Sequence, residues 1–430
     1  MRRMLQGSIM LASLTLASHA APVYLYTAAP RYAPAAWNQG SDRFPSGAHL
    51  VLVTPSGRRN LAPAFYASTD ATVSPDGLHV LFAARPTRRD PWQIWQADLQ
   101  GGAPTPVYAA SDSCIRPLYL PYGKIAYTRV AASGSTIELL SGDNARPEIL
   151  THVPGRFLTS DVLHDGRILF EWLGDLYTVY PDGTGVETLR CDHGPRRSGA
   201  RQVSSGDVIF DVAGALARFT SALAIQQPLP PSDLETAGPV AEVAPGRWLV
   251  TARPHSGGLY AIYETVSGSH TLERIEAPAG VNAVDPVAAV PRDRPRDFPS
   301  ARVPTRTTGN LLCLNARESR TPIDAAVASV RFYTQDGAGK PQLLGETAIA
   351  SDGSFYVEVP ADRPLRMELL NAAGASVRSE EHWFWMRPSE QRVCVGCHAG
   401  PERAPENKVP EILNQILNPV KLLGTMGRPQ

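Results

Sequence analysis

Cysteine is scarce in this chain, five among 430 residues, which excludes a disulfide-stapled scaffold and makes each thiol informative. A surplus of charge is missing as well. The 41 basic side chains balance the 41 acidic ones, with no basic stripe, so nucleic acid is not an expected partner. Past the N-terminus no apolar run approaches the roughly eighteen residues of a membrane-spanning helix. There is no G-x-S-x-G nucleophile motif and no phosphate-binding glycine loop, so the sequence offers no hydrolase elbow or nucleotide cradle. What is abundant is glycine and proline, 35 and 39, scattered rather than tandem, which suits an all-β chain with many turns.

The first twenty residues read as a cleavable signal peptide: a basic start at Met1 to Arg3, an apolar stretch to Ala17, and the small-x-small site Ser18-His19-Ala20. The expected location is therefore the periplasm. The body that follows is repetitive. "SPDGLHVLF" (74–82), "PYGKIAY" (121–127), "HDGRILF" (164–170), "SSGDVIF" (204–210) and "APGRWLV" (244–250) each place a turn glycine before an apolar strand. Gly77, Gly123, Gly166, Gly206 and Gly246 follow one another at 46, 43, 40 and 40 residues, the period of four-stranded propeller blades. Residues 24–70 add an irregular first blade with a hairpin at 49–61. About six blades are predicted over residues 21–300. This repeat resembles that of the TolB-like propellers, which implies a fold and no particular activity.

Residues 291–308, rich in proline and arginine, read as a solvated linker whose arginines could also pair with the propionates of a bound prosthetic group across a domain boundary. Beyond it, "ASVRFYT" (328–334), "GSFYVEVP" (353–360) and "PLRMELLN" (364–371) alternate apolar and polar residues, as expected of a small β-sandwich over 301–430 that can stand apart from the propeller and ends in a short helical tail.

The sandwich leads into "QRVCVGCHAG" (391–400). Two thiols three positions apart with an adjacent imidazole form the C-x-x-C-H signature of c-type haem, in which Cys394 and Cys397 make thioethers and His398 reaches the iron. A zinc site would need two further ligands that no nearby second C-x-x-C or H-x-x-x-H supplies, and a redox dithiol leaves His398 unexplained. Candidates for the opposite face of the iron are Met386 and His382 in "HWFWMRP" (382–388), which alternation places on one side with Phe384 and opposite Trp383 and Trp385, and Met426 in the tail.

From about Gly309 to Leu417, the order "DGSFYVEVPA", "RPSE" and "CVGCH" resembles the haem-binding middle domain of the hydrazine synthase alpha family, whose members also carry a propeller ahead of it. The resemblance implies one covalent haem c on Cys394 and Cys397 with His398 at the usual ligand position. It does not imply hydrazine synthesis: a tyrosine shortly after the motif joins the iron coordination in that family, and no tyrosine follows Tyr356 here.

Cys114, Cys191 and Cys313 are left over. Cys114 and Cys191 could bridge adjacent blades or simply be buried, and "CDHG" (191–194) could seed a metal site were His152 or His164 to converge on it. Two function classes stand: a single-haem protein of electron transfer or small-molecule redox chemistry, whose partner is a redox protein or a small molecule, and a propeller-based docking or sensor protein in which the haem is structural.

Overall fold

The computed structural model describes residues 22–142, 146–190, 192, 194–221, 223–319, 321–323, 326–396 and 406–424. Six four-stranded antiparallel sheets come first, then two more four-stranded sheets, with a single five-residue α-helix, Glu411–Gln415, near the end of the described chain.

The six sheets are propeller blades. In blades 2 to 6 the repeat glycines occupy the turn between the innermost strand and its neighbour. All five are left-handed, with φ between +71° and +92°, a conformation that costs any residue with a Cβ. Blade 1 lacks this turn because its innermost strand comes from elsewhere: Asn282–Ala288 pairs antiparallel with Tyr24–Ala29 and closes the ring. Closure completes the first blade and ties the two ends of the ring together, while the inner edge of each blade faces the axis.

Each seam between neighbouring blades is filled by its own apolar cluster. Leu25, Leu52, Val80 and Phe82 join blades 1 and 2; Leu169, Leu176, Val208 and Phe210 join blades 4 and 5. The loop between Ala29 and His49 covers one end of the axis, where Trp37, Phe44 and Tyr260 gather in a further cluster.

The opposite end is crossed by the segment after the closing strand. Arg292 N–H donates to the Pro75 carbonyl at 2.9 Å, Arg296 N–H to that of His164 at 2.9 Å, Phe298 stacks on Tyr180 with centroids 3.9 Å apart, and Ser300 Oγ bonds Asp182 Oδ2 at 2.5 Å. The reading of 291–308 as a solvated linker holds for exposure, since most of these residues are exposed, but the segment is also fixed to the propeller by these contacts. It is a strap, and two repeat glycines make room for it: a Cβ on Gly77 would lie 2.9 Å from Pro291 N, and one on Gly166 would overlap the Arg296 carbonyl.

The last two sheets form a sandwich. One contains Gln391–Gly396, Thr308–Asn315, Phe355–Pro360 and Val420–Lys421; the other contains Pro341–Ala348, Ser329–Gln335, Leu365–Leu370 and Ser376–Ser379. Leu311, Val330, Phe332, Phe355, Val357, Leu369 and Met386 fill the space between them. The predicted alternation is met in Phe355–Pro360, whose Phe355, Val357 and Val359 face inward.

Candidate functional site

The first cysteine of the C-x-x-C-H motif lies on the strand Gln391–Gly396, at the edge of its sheet and parallel to Thr308–Asn315. Cys394 stands in register with Cys313, half-buried at the margin of the sandwich core. Burial pushes its thiol above the ordinary range, opposed by the Arg392 guanidinium. Gly396 lets the chain press against the turn at Asn315–Glu318: a Cβ there would lie 2.7 Å from the Glu318 Cβ. Cys397 and His398 lie outside the described residues, as does Met426.

The four residues before this strand hold it in place. Arg387-Pro388-Ser389-Glu390 is a tight bend with Ser389 at φ +60°, closed by Glu390 N–H to the Arg387 carbonyl at 3.0 Å and by Arg387 N–H to Glu390 Oε2 at 2.7 Å. Glu390 Oε1 accepts from Gly185 N–H of blade 4 at 3.0 Å and from Arg392 Nη2 at 2.6 Å. One carboxylate thus ties the cysteine strand to the bend and to the propeller.

Arg387 extends this tie. Its side chain is 2% exposed and reaches the Asp182 carbonyl at 3.2 Å, the Ile149 carbonyl at 3.3 Å, Asp362 at 2.9 Å and Glu148, with His152 against it. Burial lowers the Arg387 pKa, an effect that Asp362 and Glu148 oppose. The same burial, reinforced by Arg387, holds the His152 imidazole neutral, its pKa lowered to about 3.

Just before the bend, the chain alternates between two cores. Trp383 and Trp385 enter the seam of blades 3 and 4, where Trp385 meets Phe157 and Trp172 at centroid distances of 6.2 and 6.1 Å and donates to the Gly183 carbonyl at 3.3 Å. Phe384 and Met386 enter the sandwich core. The predicted two-sidedness holds, although the segment is no strand and pairs only through the bridge Leu365↔Phe384. Met386 is fully buried, with its Cε 3.2 Å from the position of a Cβ on Gly309, and His382 is exposed.

Of the residues considered for a second metal site, the two that are described lie apart from each other. His152 lies against Arg387, His164 lies at the strap, and Cys191 and His193 lie outside the described residues. Cys114 is an unbridged thiol between blades 2 and 3, packed with Leu81, Ile94 and Tyr127 and pushed up to about 12 by burial. Among the described residues no three His, Cys, Asp or Glu side chains form a metal cluster, and no helix is long and apolar enough to cross a membrane.

The described part of the motif suits a covalent tether, offering a thiol on an edge strand beside the exposed apolar Val393. Sequence reasoning picked out the R-P-x-E bend by resemblance but missed its work as an anchor; the signal available was a buried-looking arginine beside proline.

Comparison with known proteins follows this geometry. Residues 315–399 match the family model of the hydrazine synthase alpha subunit middle domain. Hydrazine synthase subunit alpha of Kuenenia stuttgartiensis is 24% identical over 160 residues, a stretch covering 36% of this chain but only 18% of that relative's length. The solved hydrazine synthase of Kuenenia stuttgartiensis matches 92% of this chain and 71% of its own with a TM-score of 0.79 at 17% identity, which shows a shared fold across propeller and sandwich. TolB of Acinetobacter baumannii matches 62% of this chain and 67% of its own, with a TM-score of 0.47 at 14% identity.

Proposed function

We propose that this chain, through the hydrazine synthase alpha-type middle domain it carries, is an exported single-haem redox protein. Residues 1–20 are its signal peptide, 21–300 its propeller and 301–430 its haem unit, acting in the periplasm. The observation that carries this reading is Cys394, a thiol on an edge strand that the Arg387–Glu390 bend fixes against the propeller. Cys394 and Cys397 would hold one haem c by two thioethers, with His398 on the iron. When bound, the group supplies a one-electron couple and, where its sixth position is open, a site for a small ligand.

The chain's own residues set the conditions around it. Glu390 and Arg387 orient the strand, and Arg392 is a cation close to Cys394, neutralised by Glu390. Met386 is packed in the sandwich core and would be withheld from the group, and His382 is exposed, which favours small-molecule conversion over simple electron transfer and leaves Met426, outside the described residues, as the remaining candidate ligand.

The test is made on protein exported from cells competent in cytochrome c maturation. Intact mass should exceed the bare polypeptide by one haem, and Cys394→Ala or Cys397→Ala should weaken or abolish covalent attachment. A wild-type mass equal to the polypeptide alone refutes the haem assignment. Carbon monoxide added to the reduced protein should shift its spectrum rapidly and completely; no shift in wild type with a shift in Met386→Ala would return the reading to an electron carrier.

A further inference from the structure

The propeller axis holds charged groups that the redox reading does not use. Its innermost strands line a channel with a cavity of about 40 Å³, room for about one water-sized group. Into it project Asp70 and Asp285, whose side chains are 3% and 8% exposed. Both sit at positive φ, +53° and +51°, where their strands bulge.

A single guanidinium serves both carboxylates. Arg43 Nη1 lies 3.2 Å from Asp70 Oδ1, and its Nη2 bonds Asp285 Oδ2 and the Tyr32 hydroxyl. The second oxygen of each carboxylate, Asp70 Oδ2 and Asp285 Oδ1, is buried and has no hydrogen-bond partner. Gly238 helps keep this space open, since a Cβ there would lie 2.7 Å from Asp285 Oδ1. The other two guanidinium groups in the channel are already matched, Arg116 with Glu171 at 2.9 Å and Arg201 with Asp161 at 3.4 Å. One guanidinium thus faces two carboxylates, and burial, opposed by Arg43 and Arg116, raises the Asp70 pKa, so a second cation between the two is what would keep both ionised.

The channel opens into a larger chamber. Thr72, Arg201 and Val287 line both, and the chamber, about 510 Å³, lies between the strap and the inner strand ends of blades 1, 2, 4, 5 and 6. Its walls include Val73, Val203, Val240, Pro245 and Pro291, and its charged lining is three carboxylates, Asp161, Glu242 and Asp293, against Arg201 and Arg292. That volume falls within the range of small-molecule sites, and the balance favours a cation. Among the described residues no third His, Cys, Asp or Glu gathers beside the two carboxylates as the usual ligand set of a divalent metal would require.

We propose that the propeller axis binds a small primary amine, its ammonium group seated between Asp70 and Asp285 and its apolar body lying in the chamber beneath the strap. Two N–H donors meet the two unpartnered oxygens, the charge keeps both carboxylates ionised, and the valine and proline walls cover the alkyl chain. No residue lining the chamber belongs to the bend that holds the cysteine strand, so the site stands independently of the haem.

Isothermal titration of the full-length protein with n-butylammonium tests this. One-to-one binding is expected, weakened about tenfold or more by Asp70→Asn, which keeps the shape and removes the charge. Ala244→Trp, placed in the chamber wall away from the channel carboxylates, should abolish binding while leaving the melting temperature near wild type. Three results overturn the proposal: no binding of n-butylammonium, n-butanol binding as well as the amine, or calcium or potassium binding at Asp70 in its place. Binding that survives both variants places the amine elsewhere and overturns it too.

Discussion

At the scale of single residues, Arg387 joins the two halves of the molecule by charge. Its guanidinium is buried while Asp362 and Glu148 stay more than a third exposed, so solvent screens the pairs and most of the cost of losing Arg387 falls on the carbonyls and packing it leaves behind. Arg387→Ala should destabilise the chain by about 2–3 kcal/mol in urea unfolding, and Arg387→Lys by less, since lysine keeps the charge and loses the planar fork. An unchanged midpoint in Arg387→Ala would show the seam to be idle. His152 adds a pH dependence. Its pKa falls from the usual 6.5 to about 3 on folding, so the unfolded chain takes up a proton that the folded chain refuses. Stability should hold above about pH 6.5 and decline as pH falls toward 3. His152→Gln should flatten that decline; an equally steep curve would mean that His152 titrates normally. At this scale the sequence shows the R-P-x-E bend but not its reach, because Glu148, His152 and Asp182 lie some two hundred residues away along the chain.

Among elements, the repeat was the most legible feature. A left-handed turn on each of five blades demands glycine, and five glycines at a nearly constant step announce it. Invisible in the sequence is that two of the five also carry the strap. Gly123 and Gly206 face open space, whereas Gly77 and Gly166 lie beneath Pro291 and Arg296. Gly206→Ala should therefore cost only the backbone term, about 1–2 kcal/mol, while Gly166→Ala should cost that and also lift the strap. Limited trypsin digestion reads the difference at Arg292 and Arg296, which should be cut faster in Gly166→Ala than in Gly206→Ala; Arg294 precedes Pro295 and is no trypsin site. Equal protection in both would mean that the strap does not depend on the contact at Gly166. The segment is solvated, as its proline and arginine content implies, but composition is silent on which carbonyls the chain meets, so its attachment to the propeller is not legible in the sequence. The strand Thr308–Asn315 was hidden for a related reason: its first residues belong to the same polar run.

For the whole molecule, the question is whether the sandwich needs the propeller. The sequence allows a separable unit beginning near Arg302, since every residue that carries the family resemblance lies beyond it, and the sandwich does have its own core of Leu311, Val330, Phe332, Phe355, Val357 and Leu369. The chain that closes that core is also the chain that leaves it. Between Trp383 and Arg387, successive side chains point into the sandwich and into the seam of blades 3 and 4, and Trp385 and Arg387 are among the largest fully buried side chains of the protein. Period-two alternation normally separates core from solvent; here it separates one core from another, and a pattern of apolar residues alone cannot distinguish these cases. A fragment of residues 302–430 should consequently fold and yet expose an indole and a desolvated guanidinium, and it should associate in solution. Trp385→Ser with Arg387→Ser should return the fragment to a monomer without loss of its β-sheet circular dichroism signal, whereas in the full-length chain Trp385→Ser should cost about 3–5 kcal/mol by opening a cavity beside Phe157 and Trp172. Sedimentation velocity on the two fragments gives the answer. A wild-type fragment that is monomeric and as stable as the intact protein would mean that the Trp385 seam is a resting contact, leaving the position of Cys394 to be set by the sandwich alone.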